Sequence, residues 1–248
     1  MINSEKIWRW VSVITISFYV WWIISFIFEN PFIPGPFEVI FSSIDLFKDG
    51  EILVHTWGSI RRTILGFILS LVVASSLGYI VGTSLFLRNY FSPVLELLRP
   101  IPPIAWIPMS ILWFGIGDAS SLFIIFLASF FPVFTSVSFG VASLPQIYHR
   151  VSDNYNLNIF QKFIHIIFPF SLPYLISGCK IGIGFSWMAV IAAEMVAVDS
   201  GLGYFIEINR VLLKTHYVIF TMILIGLIGY VMHKIINYIE LKIIIWEQ

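Results

Sequence analysis

Charged residues are scarce in this sequence. Asp, Glu, Lys and Arg make up 11% of the 248 residues, against roughly 25% in an ordinary soluble domain. Hydrophobic residues make up 58%, and the mean hydropathy is +0.92. A single core in a chain of this length cannot enclose so much apolar surface, so most of it must face lipid. The composition therefore excludes a soluble enzyme.

Several chemical features are missing as well. The formal net charge is zero, which gives no reason to expect a nucleic-acid partner. Cys179 is the single cysteine, so an intrachain disulfide is excluded. The sequence has no Gly-x-x-x-x-Gly-Lys-Ser/Thr loop to hold nucleotide phosphates, so we expect this chain to bind no cofactor. Its histidines lack the i, i+4 pairing of a helical zinc site, and we expect no metal site.

Long uncharged stretches indicate membrane spans. A helix needs about 20 mostly apolar residues to cross a hydrocarbon core about 30 Å thick. Asp, Glu, Lys and Arg are absent from 10–28, 63–87, 100–117, 119–149, 163–179 and 215–233. The first stretch follows Lys6 and Arg9, but Trp21 and Trp22 and the lack of a small-residue cleavage site favour a retained anchor over a cleaved signal. We predict an all-α polytopic membrane protein with five or six spans. The distribution of basic residues favours about six.

Proline, glycine and polar residues divide the chain. We expect an anchor helix over 1–32, an external loop over 33–62 with short amphipathic helices at 37–50 and 51–62, and a core membrane domain over 63–248. Within the core we expect a connector at 93–99, a polar interruption at 145–168 and a closing loop at 199–216. Pro169 and Pro173 are taken to mark the start of a span over 174–198, and the last helix to end near Val231.

The basic residues favour an arrangement with six spans and both chain ends inside. Its inner segments hold Lys6, Arg9, Arg88, Arg99, Arg150, Lys162, Lys234 and Lys242. Its outer loops hold Lys48, Arg61, Arg62, Arg210 and Lys214. Arg61 and Arg62 fit this scheme poorly and count against it, unless they snorkel from the start of the second span to the interface.

Only two ionisable side chains, Lys180 and Glu194, lie deep in predicted spans. They are 14 residues apart, which places them roughly 21 Å apart along a helix, so they cannot pair with each other. Intramembrane charges are candidates for a pathway or an interhelix contact; the simpler alternatives are that Lys180 snorkels to the inner interface and that Glu194 is hydrated near the outer surface. Small residues at four-residue spacing, Gly178, Gly182 and Ser186, suit a tight helix or subunit interface. Pro102 and Pro103 indicate either a packing kink or the wall of an internal pathway.

Several motifs together resemble the membrane-spanning permease subunits of ABC importers, in the branch associated with nitrate, sulfonate and taurine. They are Ile33-Pro34-Gly35-Pro36, Leu97-Leu98-Arg99-Pro100-Ile101-Pro102-Pro103, Ile111-Leu112-Trp113-Phe114-Gly115-Ile116-Gly117, Leu172-Pro173, Ala192-Ala193-Glu194-Met195 and Ser200-Gly201-Leu202-Gly203-Tyr204. The resemblance implies a type I importer fold in the cell membrane and a passive gate that pairs with a second copy. It also implies an external solute-binding protein and two cytoplasmic ATPase subunits that bind the ATP and Mg.

In this family a cytoplasmic loop beginning Glu-Ala-Ala docks into the ATPase. The resemblance places that loop within 145–168, with the contact at His149, Arg150, Ser152, Asp153, Tyr155, Asn156, Leu157 and Asn158. Arg150 stands where the family has an acid, which predicts a co-adapted ATPase or weakened coupling. Asn156 replaces a glycine, and asparagine tolerates positive φ, so we expect the turn to survive.

Two other functions remain open from the residues alone. A stand-alone secondary transporter is disfavoured because the two halves show no convincing repeat. An intramembrane enzyme is disfavoured because no acid–base or metal constellation is visible. The solute is not defined by the sequence, because no cluster of Arg or Lys singles out an anion; sulfonate, nitrate, taurine, bicarbonate and vitamin precursors all fit.

Overall fold

The computed structural model describes residues 4–28, 30 and 32–243, without the side chains of residues 4–7 and 10. Lys6, which we expected on the inner side, is among the residues whose side chains are not described. The helices are α1 Ser4–Phe28, α2 Pro36–Lys48, α3 Glu51–Thr83, α4 Leu85–Leu98, α5 Ile107–Phe114, α6 Asp118–Ala142, α7 Gln146–Asn154, α8 Ile159–Lys162, α9 Phe168–Ala197, α10 Leu202–Val211 and α11 Thr215–Ile243. A 3₁₀ turn, Pro103–Trp106, precedes α5, and a π-helical turn, Phe163–Ile167, precedes α9.

Five segments of the described chain are long and apolar enough to cross a membrane: one in each of α1, α3, α6 and α11, and the joined α8–α9 segment. A sixth span results if α4 and the Pro103–Phe114 segment are counted as one path bent by 84°. The expected all-α polytopic fold with about six spans is confirmed. The bend follows from the Pro100-Ile101-Pro102-Pro103 sequence, since proline lacks the amide donor that continues a helix.

Helices α3, α6 and α9 form the centre of the bundle. Small residues on α3 let α6 approach closely: added methyl groups at Gly78 and Gly82 would press on Val137 and Val141 of α6. The buried side chains of this region include Ala74, Val133 and Phe134. By contrast, none of the apolar window of α1 and only 6% of that of α11 is buried, so these helices present their side chains to lipid.

The bundle has two ends, which we name after the short helices that lie there. Helices α3 and α6 run in the same direction, from the α10 end to the α7 end. Arg62, in the first half of α3, contacts Asp118 at the start of α6, and the last residues of both helices line one cavity against α7. Helix α9 returns in the opposite direction. Helix α11 follows α10 and so runs toward the α7 end.

Several predicted boundaries were wrong. The short helix expected at 51–62 is the first part of the 33-residue α3, so the proposed division at 62/63 falls inside one helix. The connector expected at 93–99 is mostly α4, which contains Pro93. Helix α9 begins at Phe168 and includes both Pro169 and Pro173. The closing loop contains α10, and the last helix continues to Ile243.

Candidate functional site

A buried charge cluster joins three helices at the α10 end. Arg62 of α3 is 4% exposed and Glu194 of α9 is fully buried. The Nη1 atom of Arg62 donates to Glu194 Oε1 over 2.8 Å, and its Nε donates to Asp118 Oδ1 over 2.6 Å. Arg61 also pairs with Asp118 on the more exposed side. Two cations and two carboxylates thus form a neutral group.

The same cluster holds the α9–α10 connection against α3. Ser59 Oγ donates to Glu194 Oε2 over 2.7 Å and accepts from the Leu202 amide over 2.8 Å. The Gly203 amide donates to Glu194 over 3.0 Å, and Arg62 donates to the Ser200 carbonyl over 2.9 Å. The side chains of Ser59, Arg62 and Glu194 each bond to a group from another element, so the connection cannot move without breaking several bonds at once.

These contacts correct two expectations. Arg62 does not snorkel to the interface, because its guanidinium is enclosed by carboxylates from α6 and α9. Glu194 is not hydrated, because it is fully buried beside Arg62. The pairing could not be seen in the sequence since the partners lie 56 and 132 residues from Arg62. The one available signal was the poor fit of the Arg61-Arg62 pair to the charge pattern of the loops.

Helix α10 packs against this cluster through its first residues. Phe205 and Leu202 pack into the core, whereas Arg210 and Glu207 pair on the surface. The hydrogen bonds from Arg210 lower the pKa of the Glu207 carboxyl. The helix is therefore fixed by its first turn and presents a charged outer face.

Lys180 is paired rather than isolated. Its Nζ donates to Glu240 of α11 over 2.7 Å, with both side chains less than a third exposed. Farther along α9, Trp187 Nε1 donates to the Ile225 carbonyl over 3.0 Å. These two bonds tie α11 to α9. Lys180 and Glu194 are not brought together, as expected from their spacing.

The small residues of α9 lie against α6. A methyl group added at Gly178 would press on Ser136 and Val133, and one at Gly182 would approach Val133 and Phe67. Ser186 is buried, and its Oγ has no hydrogen-bond partner within the described part of the chain. The stripe is thus an interface between helices of one chain.

Pro102 and Pro103 lie at the break between α4 and α5. Pro103 opens the 3₁₀ turn and lines a cavity of about 270 Å³ together with residues of α6 and α9, among them Phe131, Thr135 and Phe185. The broken backbone therefore borders a cavity, which is where irregular backbone is tolerated at membrane depth.

The polar interruption forms a short helical hairpin, which we call the 146–162 hairpin: α7, a turn and α8. Leu157 N–H donates to the Ser152 carbonyl over 3.0 Å, and Asn158 caps α8 through reciprocal bonds with Gln161. Asn156 has φ +49°, the positive value that we expected an asparagine to adopt in place of glycine. The hairpin thus keeps its turn despite the substitution.

Charged and apolar groups are exposed together on this hairpin. Tyr155 is 77% exposed, Phe160 71% and Ile159 90%. Arg150, His149 and Asp153 line a cavity of about 550 Å³ against the ends of α3 and α6. An exposed apolar patch bordered by charges is typical of a protein-interaction surface.

Comparison with known proteins supplies the family. The model of the family described as "Binding-protein-dependent transport system inner membrane component" matches residues 66–244. The chain belongs to this family. The permease is thus a multi-pass membrane transport subunit, as its motifs and spans predicted.

Individual relatives agree with this assignment. The permease is 31% identical to the nitrate import permease protein NrtB of Synechocystis sp., with 100% of this chain and 93% of the relative covered. It is 28% identical to the taurine transport system permease protein TauC of Escherichia coli, with 99% and 96% covered.

A solved structure shares the fold. The MetNI methionine ABC transporter matches with a TM-score of 0.68 at 16% identity, covering 77% of this chain and 96% of that one. The permease reading is supported, and neither a secondary transporter nor an intramembrane enzyme gains support.

Within the described residues, no group of three or more His, Cys, Asp or Glu is placed to hold a metal ion. The expectations that the permease binds no metal and no cofactor stay predictions.

Proposed function

We propose that this permease forms half of the translocation pathway of an ATP-driven importer for a small polar solute of the nitrate, taurine or sulfonate type. An external binding protein delivers the solute, and two cytoplasmic ATPase subunits bind ATP and Mg and drive the transport. NrtB and TauC, named for nitrate and taurine transport, support this choice of solute.

In this proposal the ATPase binds the 146–162 hairpin. The exposed surface of the hairpin is the main observation that supports this contact. Tyr155, Ile159 and Phe160 are exposed at one end of the bundle, where lipid does not cover them if α7 lies outside the membrane. Arg150 lies on the same hairpin, so the complementary surface of the ATPase carries an acid. This is the co-adaptation expected when a charge at a docking surface is reversed.

A second copy of the permease completes the pathway. The cavities beside the α4–α5 break are only partly enclosed, so one chain alone does not surround a solute. The α7 end is then cytoplasmic. The start of α1 and the end of α11 lie on the same side.

The test is charge reversal at Arg150 in the complex reconstituted with its ATPase and binding protein. We expect Arg150→Glu to reduce binding-protein-stimulated ATP hydrolysis about tenfold, since a like charge then faces the acid of the ATPase. Arg210→Glu, the matched reversal at the opposite end, should leave ATPase assembly unchanged. Normal hydrolysis in an assembled Arg150→Glu complex would contradict the assignment of the hairpin.

A further inference from the structure

Two adjoining cavities follow the α4–α5 break along α6. One, of about 270 Å³, is lined by Arg99, Pro103, Thr135 and Ser136 among others. The other, of about 240 Å³, is lined by Arg88, Ser92, Glu96, Arg99, Thr135 and Ser138 among others. Arg99 and Thr135 line both, so the two cavities form one continuous groove. We call it the Arg99 groove.

The ionisable groups of the groove carry a net positive charge. Arg88 and Arg99 supply two guanidinium groups, and Glu96 supplies one carboxylate. Over residues 4–28, 30 and 32–243, no carboxylate lies within ion-pair distance of either arginine. Arg62 and Lys180, in contrast, each hold a carboxylate. The described residues therefore leave the groove with a net positive charge.

Hydroxyl groups lie beside these arginines. Ser92, Ser136 and Ser138 line the groove, and in the described part of the chain none of their hydroxyl hydrogens is used in a hydrogen bond. Thr135 already donates to the Phe131 carbonyl over 2.7 Å. Guanidinium and free hydroxyl groups are the donors that bind the oxygens of an anion.

The remaining lining is apolar, including Ile101, Leu127 and Phe131. A low-dielectric wall strengthens the field of the two guanidinium groups inside the groove. Other cavities adjoin the groove: Arg88 also lines the cavity against α7, and Phe185 also lines the cavity beside Lys180.

We propose that Arg99 forms a binding site for a small anion that carries sulfonate or other oxyanion oxygens, with Arg88 as a second cation farther along the same groove. The inference rests on the proposed importer function and narrows its solute to an anionic group. Arg88 and Arg99 lie on one face of α4, roughly 16 Å apart along its axis, and both line the cavity that Thr135 also lines.

The electrostatic potential inside the Arg99 groove can be measured without knowing the solute. In a Cys179→Ala background, Thr135→Cys places a thiol in the groove of the full-length permease in phosphatidylcholine nanodiscs. The thiol is modified with an anionic sulfonatoethyl and a cationic trimethylammonioethyl methanethiosulfonate. The ratio of the two rates reports the local potential, because the thiolate fraction affects both reagents equally. Ser92→Cys is the second labelling position if Thr135→Cys fails to fold.

We expect the anionic reagent to react roughly tenfold faster relative to the cationic one than at the exposed Leu213→Cys. Arg99→Gln should remove most of this preference, and Glu96→Gln, the matched change in the same groove, should increase it. Millimolar nitrate or methanesulfonate should slow the anionic reagent at constant ionic strength. Equal rates for both reagents, no labelling at either position, or a ratio unaffected by Arg99→Gln would overturn the proposal.

Lipid phosphate shares the chemistry of the proposed ligand, so a second set of nanodiscs contains phosphatidylglycerol. Protection by soluble anions in phosphatidylcholine supports a solute site. Loss of the anionic preference with phosphatidylglycerol, without protection by nitrate or methanesulfonate, assigns the groove to a lipid headgroup and overturns the solute site. These measurements use no ATPase or binding protein, so their failure is distinguishable from failure of the reconstituted importer.

Discussion

Arg62 joins three separate parts of the chain through its side chain. It contacts Asp118 of α6, Glu194 of α9 and Ser200 of the following turn. Removing two charges from water is costly, and the cost is offset only when each is paired and hydrogen-bonded. The cluster meets this condition, so it favours one specific arrangement of α3, α6 and α9.

Removing the charge of Glu194 should destabilise the permease strongly. Glu194→Gln leaves the buried Arg62 with one carboxylate fewer, and we expect a loss of about 3 kcal/mol, the lower end for a broken buried pair. Thermal unfolding of the purified permease in detergent measures the change. The double variant Arg62→Met with Glu194→Met should recover part of the loss, because no buried charge is then left unpaired.

Glu207→Gln is the control for that experiment, since Glu207 belongs to an exposed ion pair. We expect no measurable change in its unfolding temperature. If Glu194→Gln unfolded at the same temperature as Glu207→Gln, the cluster would not contribute to stability.

The conformation and surroundings of some residues could be predicted from the sequence, and those of others could not. The positive φ of Asn156 was expected because the resemblance places a glycine at this position and asparagine tolerates the same conformation, and it is observed. The surroundings of Arg62 and Arg99 could not be predicted, because residues far away in the chain, Glu194 and Thr135, lie beside them. Local backbone preference is visible in a sequence, whereas the meeting of side chains from separate helices is not.

At the scale of elements, the turn between α9 and α10 depends on glycine. Gly201 has φ +108°, and an added Cβ would overlap the carboxyl of Glu194. Its amide donates to His55 Nδ1 over 2.9 Å. The turn needs both a left-handed backbone and the absence of a side chain, because the charge cluster occupies the space beside it.

Gly201→Ala should therefore displace α10. We expect a loss of at least about 2 kcal/mol, from the positive φ and the overlap with Glu194 together, measured as a lower unfolding temperature. Gly226→Ala on α11 is the matched control, because an added Cβ there meets nothing within 4 Å. Alanine in this helix should be neutral or stabilising by up to about 1 kcal/mol. Equal unfolding temperatures for the two variants would contradict the role of the turn.

The sequence predicted the helical spans better than their ends. Charge-free stretches located α3, α6 and α11, because lipid requires long apolar helices. The ends were missed where prolines lie inside helices, as Pro93 and Pro173 do. In a membrane helix, neighbouring helices and side chains can satisfy the carbonyl that proline leaves free, so proline does not always end the helix.

At the scale of the whole molecule, helix directions give the orientation of the chain. Trp21 near the end of α1 donates to the Pro34 carbonyl over 3.1 Å, and α2 packs beside α11 near its start. The 25 residues of α1 and the 29 of α11 span about 37 and 43 Å. Both helices therefore extend from the α10 end to the α7 end, where the 146–162 hairpin lies.

This geometry predicts which residues share one face of the membrane. In the Cys179→Ala background, single cysteines at Trp8, Tyr155 and Lys242 should react with a membrane-impermeant maleimide from the same side, and one at Leu213 from the other. If the hairpin meets a cytoplasmic ATPase, the first three label in inside-out vesicles and Leu213→Cys labels in whole cells, as expected for spans that alternate in direction. Labelling of Tyr155→Cys and Leu213→Cys from one side would contradict the six-span arrangement, because α9 alone crosses the membrane between them.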